Sequence, residues 1–242
     1  MKTLYATDAS AYREMPLGVA IPETKEDLEK IIRFADQQSI PLIPRTAGTS
    51  LAGQVVGKAL VVDVSKFFNR ILEVNKAESY VWVEPGVVRD VLNVELKKHG
   101  LFFGPETSTA NRAMIGGMVG NNSCGSNSVV YGSTRDHVLE IEGYLSDGTF
   151  VHFKEEDPFE TVKAIDEWAR LHGIYKKTLA ALSDPKHQKN ITEEFPKPSI
   201  DRRNTGYAVD MLLHTKAFES TEAPFNFCSL LAGSEGTLCF AT

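Results

Sequence analysis

Cysteine is scarce in this chain of 242 residues: Cys124, Cys228 and Cys239 are an odd number with no C-x-x-C spacing. That argues against a disulfide scaffold and for a reducing compartment, so a cytoplasmic setting is expected. Long apolar runs are missing as well. No stretch approaches a membrane span, and the N-terminus lacks the apolar segment of a signal peptide, so no direct membrane insertion is expected. Any membrane association is expected through another part of a longer protein or a partner. An excess of basic charge is missing too. A net charge of −6 leaves no basic footprint for nucleic acid. The histidines (His99, His137, His152, His172, His187, His214) are scattered without an H-x-H or H-x-x-x-H pair, so no metal site is expected. Neither common nucleotide fingerprint, G-x-G-x-x-G or G-x-x-x-x-G-K-[ST], occurs anywhere. Repeats, heptads and low-complexity tracts are also absent. What remains is an ordinary globular composition, long enough for one large domain or two lobes.

The most unusual composition lies at residues 105–125. It is too small and polar for a core element, yet it contains one apolar turn, Met114-Ile115-Gly116-Gly117-Met118-Val119. The pattern predicts a short helix entered through the hydroxyl-rich loop of Thr107, Ser108 and Thr109. Small residues there let backbone N–H groups approach an anion, and a helix N-terminus adds its positive dipole end. The run at 121–127 adds amides and hydroxyls, with glycine where φ > 0 is needed. A plain Gly/Ser/Asn surface loop is the competing reading. A second cradle counts against it: Pro41-Leu42-Ile43-Pro44 leads into Arg45-Thr46-Ala47-Gly48-Thr49-Ser50-Leu51-Ala52-Gly53-Gln54. Two such cradles suit a ligand with two linked phosphates.

Around them the chain reads as alternating elements. A strand at 19–22, a helix at 25–38 capped by Thr24 with Asp27, and a strand at 40–44 form a β-α-β unit ending at the first cradle. Strands at 60–64, 71–74 and 80–84 follow, the last ending at Pro85-Gly86, then a helix at 87–99 and a lead-in at 101–103 to the central cradle. Runs at 137–144 and 150–153 flank Asp147-Gly148, a hairpin signal. Residues 158–182 are helical with a break at Gly173, residues 183–199 an exposed connection, and residues 238–241 a strand.

Taken together, Pro44-Arg45-x-x-Gly48-Thr49-Ser50, Pro105-Glu106, Gly116-Gly117-x-Val119, Asn122-Ser123-x-Gly125, Tyr131-Gly132 and Gly233-Ser234-Glu235-Gly236-Thr237 resemble the PCMH-type FAD-binding domain of the vanillyl-alcohol oxidase / p-cresol methylhydroxylase flavoenzymes. The likeness runs from about Val19 to Thr242, and within that family it is nearest to FAD-linked D-2-hydroxyacid dehydrogenases acting on D-lactate, glycolate or D-2-hydroxyglutarate. It implies an α+β fold in two lobes, a small β-α-β lobe at about 1–66 and a larger lobe with a mixed and antiparallel sheet and helices at about 69–242. The FAD would lie between them. The resemblance places the cofactor on Pro44, Arg45, Thr46, Ala47, Gly48, Thr49, Ser50 and Gln54, then Pro85, Gly86, Pro105, Thr107 and Ser108. It continues through Met114, Ile115, Gly116, Gly117, Asn121, Asn122, Ser123, Cys124, Gly125, Ser128, Tyr131 and Gly132 to Glu235 and Gly236.

Its diphosphate is expected on the backbone of 46–50 and of 114–117, and its isoalloxazine near Thr107, Ser108, residues 122–125 and Tyr131. Some relatives attach the flavin to a histidine of the first cradle. Thr49 stands at that position here, which implies non-covalent FAD. The segment at 5–10 resembles one that precedes the FAD domain in the same family, and a packed arm without ligand contact explains it equally well. The implied activity is hydride transfer from a D-2-hydroxyacid to flavin N5, with electrons passed onward to an acceptor such as an iron–sulfur module of the same longer protein. The cysteines here cannot hold such a cluster themselves.

No catalytic residue is assigned. A base and carboxylate-binding arginines are expected in a cap domain downstream of Thr242, and Arg202-Arg203 is the local basic pair that stands out. Cys124 reads as a small packed residue rather than a redox thiol. An FAD electron-transfer subunit or domain without its own substrate site is the alternative, and a sugar-nucleotide-binding module a third.

Overall fold

The structure is a computed structural model and describes residues 1–242 except Pro198, Asp201, Arg202, Asn204 and Thr205. Its first sheet is parallel and joins β1 (Gly18–Ala20), β2 (Leu42–Arg45) and β3 (Leu60–Asp63) in the order β1-β3-β2. The expected β-α-β unit therefore has a third strand between its two strands, with Leu60 opposite both Gly18 and Leu42. Between β1 and β2 lies α1 (Lys25–Gln37), which starts where the sequence predicts. The Thr24 side chain accepts from the Asp27 N–H while Asp27 reaches back to the Thr24 N–H, closing a capping box. Leu28, Ile32 and Ala35 form its buried stripe, the 3.6-residue period turned inward. Thr24→Ala should cost about 1 kcal/mol, read as a melting temperature a few degrees lower with no change in ligand binding.

A two-stranded antiparallel ribbon, β4 (Ile71–Asn75) and β5 (Tyr80–Val83), precedes α2 (Arg89–Lys97). Val87, Leu92 and Leu96 pack with Ile71, Val83, Phe103 and Ile115 into a cluster of their own. Next come α3 (Ile115–Asn121) and α4 (Ser128–Tyr131). A third sheet holds β6 (Ile141–Tyr144), β7 (Phe150–Phe153) and the two-residue β8 (Phe240–Ala241), in the order β7-β6-β8. Asp147-Gly148 turns the hairpin, with Gly148 at φ +81°. The run expected to be extended from His137 begins only at Ile141, because Ser133 and Asp136 cap a 3-10 turn over Thr134–His137.

The helices that follow cover the third sheet: α5 (Pro158–Ala164), α6 (Arg170–Ser183), α7 (Pro185–Glu194), α8 (Val209–Leu213) and α9 (Cys228–Leu231). Phe153, Tyr175, Phe225 and Phe227 form the aromatic centre of this largest core. Phe227 lies edge-on to Tyr175 and Phe225 at 4.9 and 5.2 Å. Two expectations are corrected here. The helical break falls at residues 165–169, where the Asp166 carboxylate accepts from the Trp168 N–H, and α6 runs through Gly173. The expected connection at 183–199 is largely α7. Its sequence is too polar to show a buried face, but Asp184 caps the Lys186 N–H and Pro185 opens the first turn. Of the basic pair Arg202-Arg203, Arg202 lies outside the described residues; Arg203 is ion-paired with the buried Asp210.

A second core cluster joins elements far apart in sequence. Leu28 and Ile32 of α1 and Val62 of β3 pack with Tyr144 of β6 and Phe240 of β8. The parallel sheet and the β8 end of the chain are thereby fixed against each other, and the candidate site lies where they meet.

Candidate functional site

A cavity of about 490 Å³ opens where the cradles converge. Its first wall is the loop that leaves the carboxyl end of β2. Gly48 and Gly53 have φ +66° and +79°, so the loop turns back twice in the region open to glycine. None of the backbone N–H groups of residues 46–51 donates to a backbone carbonyl among the described residues. The Ser50 Oγ is buried without a hydrogen-bond partner among the described residues. Arg45 serves this loop from within. Its Nη1 reaches the Val55 carbonyl at 3.4 Å, and a Cβ on Gly48 would come within 2.6 Å of its Nη2.

The second wall is α3. Two of its first N–H groups are already used in packing: Ile115 donates to the Val87 carbonyl at 2.9 Å and Gly116 to the Pro85 carbonyl at 2.8 Å. The side of Gly116 rests on Pro85, where a Cβ would lie 2.4 Å from the Pro85 Cβ. Gly117 is the open position. A Cβ there would sit 2.8 Å from the Thr46 Oγ1, so the two cradles face each other across this pair. The turn that receives α3 is tight as well, because Gly86 donates to the Phe68 carbonyl at 2.6 Å.

The third wall is the segment before β8. Glu235 takes φ +54° and donates its N–H to the Gly120 carbonyl at 2.8 Å. Its Oε1 accepts from the Gln54 Nε2 at 3.2 Å, tying this segment to the first loop. Gly236 lies against Pro44, where a Cβ would come within 2.7 Å of the Pro44 Cγ. Cys239 lines this side, and burial pushes its thiol up to about 12, so it stays protonated and acts as a packing residue.

The residues expected at the site divide into those that meet the cavity and those that shape it. Pro44, Arg45, Thr46, Gly48, Thr49, Ser50 and Gln54 line it, as do Pro85, Thr107, Ser108, Met114, Gly116 and Gly117. Asn121, Ser123, Cys124, Glu235 and Gly236 complete that group. Ala47, Gly86, Pro105, Ile115, Asn122, Gly125, Ser128, Tyr131 and Gly132 are not among the lining residues. Several of these have structural duties. Ile115 belongs to the α2 cluster, and the Pro105 carbonyl accepts from the Arg89 Nε at 3.1 Å. Asn122 ends α3 in the left-handed region at φ +47°, and its Oδ1 accepts from the Arg135 N–H at 2.8 Å. Gly125 has no positive φ; it is glycine because a Cβ would fall 2.1 Å from the Glu106 carbonyl oxygen. Tyr131 packs edge-on to Phe102 at 5.1 Å.

Arg112 and Phe240 also line the cavity and carry no motif that announces it, while Ala9 and Ser234 line it from the 5–10 segment and the 233–237 motif without having been named as cofactor residues. Arg135 was missed for a different reason. It is nearly buried and donates to the Ser229 and Ala232 carbonyls at 2.9 and 2.7 Å. Desolvation lowers its pKa, with Asp136 and Asp210 acting against that and Arg203 with it. Among the described residues, the hydrogen-bond partners of its side chain are all distant in sequence, so no local pattern could show it.

The model of a family described as "FAD binding domain" matches residues 16–154, more than half of the chain. The chain belongs to this family of FAD-binding domains. Its curated relatives include D-2-hydroxyglutarate dehydrogenases from Haemophilus influenzae, 36% identical over 97% of the chain, and from Escherichia coli K12, 38% identical over 98% of it. Over 63% of the chain, it is 34% identical to a mitochondrial D-lactate dehydrogenase [cytochrome] of Kluyveromyces lactis. The match covers 23% of each of those D-2-hydroxyglutarate dehydrogenases, so the chain spans about a quarter of their length. Among solved structures, one titled alkyldihydroxyacetonephosphate synthase superposes with a TM-score of 0.51 at 19% identity, covering 59% of this chain and 26% of that one. That likeness shows the fold. As an FAD-binding domain, the chain has residues that fit the cofactor. The cavity volume falls in the range of small-molecule sites, residues 46–51 offer N–H groups, the buried Ser50 hydroxyl lacks a partner, and Gly117 leaves open the gap that a side chain would fill.

Proposed function

We propose that the chain is the FAD-binding domain of an FAD-linked dehydrogenase that oxidises a D-2-hydroxyacid of the D-2-hydroxyglutarate or D-lactate type. The observation that carries this reading is the match to D-2-hydroxyglutarate dehydrogenases over nearly the whole chain, through the segments that build the cavity. When bound, FAD supplies the hydride acceptor. The chain's own residues hold and enclose it. Backbone N–H groups of residues 46–51 and of Gly117 take the diphosphate, and the Ser50 hydroxyl adds a donor. Thr107, Ser108, Ser123 and Cys124 border the flavin end. Thr49 offers no imidazole for covalent attachment, so the cofactor is held non-covalently.

The division into lobes at 1–66 and 69–242 belongs to this proposal, with the cofactor between them. The groups that orient the substrate carboxylate and take its hydroxyl proton lie in sequence that the longer relatives have beyond the matched segment. An acceptor that includes an iron–sulfur module of the same longer protein, and a cytoplasmic setting, complete the reading. Among the described residues, no helix is long and apolar enough to cross a membrane.

The test is an absorption spectrum of the purified chain, before and after anaerobic addition of D-2-hydroxyglutarate and D-lactate. A yellow protein that releases all its flavin to the supernatant on acid precipitation is expected. Bleaching by either acid would place a working substrate site within these residues, whereas yellow protein that does not bleach fits a domain whose substrate groups lie elsewhere. Flavin left on the precipitate would overturn the non-covalent assignment. Colourless protein that also fails to take up added FAD would overturn the whole reading.

A further inference from the structure

Residues 5–12 lie before the segment that the family model matches, yet they are built onto the first cradle. The arm is closed on itself. Thr7 bridges Arg13, the Glu14 N–H donates to the Ala6 carbonyl at 3.0 Å, and Ala6 is fully buried. Within it, the Asp8 Oδ1 accepts from the Ser10 N–H at 2.8 Å, and the Ser10 Oγ from the Tyr12 N–H at 3.1 Å. An arm held this way presents fixed side chains.

Those side chains meet the loop along its length. At its base, the Arg45 Cζ stands 5.2 Å from the centre of the Tyr5 ring, a cation–π contact on the guanidinium around which the loop folds. The Tyr5 hydroxyl donates to the Asp63 Oδ2 at 2.7 Å, and Asp63 is the β3 residue in register with Arg45. At its middle, the Ala9 N–H donates to the Gly48 carbonyl at 3.2 Å. Near its far end, Gly53 packs so closely on Tyr12 that a Cβ would come within 2.8 Å of the ring. Ala9 itself lines the cavity, and the Asp8 Oδ2 is buried without a partner among the described residues. The loop has few hydrogen bonds of its own, so its shape depends on what grips it from outside.

We propose that residues 5–12 are a strap of the dinucleotide site, in which Tyr5 and Tyr12 are positioning residues that hold the loop of residues 46–54 in its binding shape and so set how slowly FAD leaves. This rests on the FAD reading above. Binding leaves the N–H groups of residues 46–51 facing one anion only while the loop keeps its double turn. Loosening either grip lets those donors diverge, and the cost appears in retention of the cofactor rather than in the core.

The experiment follows FAD release from the full chain by the recovery of free-flavin fluorescence after dilution, alongside thermal melts. Tyr5→Leu removes ring and hydroxyl together, Tyr5→Phe removes only the bond to Asp63, and Tyr12→Ala frees Gly53. Thr24→Ala, which weakens a helix cap away from the loop, is the control. Release about tenfold faster is expected for Tyr5→Leu and Tyr12→Ala, and about threefold faster for Tyr5→Phe. Thr24→Ala should release at the wild-type rate despite its lower melting temperature. Release rates equal to wild type in the tyrosine variants overturn the strap, and so do rates that simply follow the melting temperature across all four variants. A wild-type chain that takes up no FAD overturns the FAD reading itself, and the strap with it.

Discussion

Gly125→Ala is expected to lower stability by about 3 kcal/mol or more, a cost at the upper end for overpacking. The added methyl would sit 2.1 Å from the Glu106 carbonyl oxygen and 2.8 Å from its carbon. Both are backbone atoms, so no side chain can rotate away. The segment that begins at Glu106 carries Thr107 and Ser108, and the one at Gly125 carries Ser123 and Cys124, so forcing them apart opens the cavity wall. Gly117→Ala is the informative partner. Its methyl would meet only the Thr46 Oγ1, at 2.8 Å, and that hydroxyl can turn. Alanine also favours a helix over glycine by about 1 kcal/mol. The folded chain should therefore lose little or no stability while its FAD affinity falls at least tenfold, because the methyl enters the gap between the two cradles. Melting temperature and flavin titration on the two variants separate these effects. Equal losses of both quantities in both variants would show that the glycines act alike, against the distinction drawn here.

The same pair shows which parts of the site were legible in the sequence. Glycine, serine and asparagine clustered at 105–125 and 45–54 signal close backbone approach, and composition alone conveys that. Composition does not say which glycine faces the ligand and which faces another strand of backbone. Gly117 meets the cavity, whereas Gly86 and Gly125 meet carbonyl oxygens, and the difference depends on partners many residues away. Arg45 gives the same lesson for charge. A basic residue at the mouth of such a loop lines the cavity, as expected, but composition could not show that its guanidinium also packs on the Tyr5 ring and reaches the Val55 carbonyl. Elements with a strong period were readable, as α1 shows, with its buried stripe and its cap both visible in the sequence. Where the period is weak, reading failed: α7 buries no residue and reads as an exposed connection, whereas the strand expected at 238–241 is present as the shorter β8. The insertion of β3 between β1 and β2 is a matter of pairing order, which no local pattern encodes.

Arg135→Met should produce the second large effect, about 3 kcal/mol of stability lost together with weakened FAD retention. Arg135 is 8% exposed and fixes two separate parts of the site. Its backbone N–H holds the Asn122 side chain at the left-handed end of α3, while Nε and Nη2 hold the Ser229 and Ala232 carbonyls. Gly233 follows directly, and a Cβ there would come within 2.9 Å of the Arg135 Nη2, so the guanidinium also sets the path into Ser234, Glu235 and Gly236. Two opposing contributions decide the outcome. Burial penalises the charge, as the lowered pKa shows, so removing it returns some stability. Against this, the charge-assisted hydrogen bonds to the Ser229 and Ala232 carbonyls, roughly 1.5–3 kcal/mol each, are lost together with a longer third one to the Arg203 carbonyl at 3.4 Å. The second contribution is the larger, because methionine fills the volume but cannot donate. Arg135→Lys should recover only part of the loss, since one ammonium cannot reproduce the planar fork that reaches both carbonyls. A melt and a flavin titration on the two variants check this. The backbone N–H that holds Asn122 survives in both variants, so an Arg135→Met chain that melts with wild type would falsify the view that the buried guanidinium fixes the approach to β8.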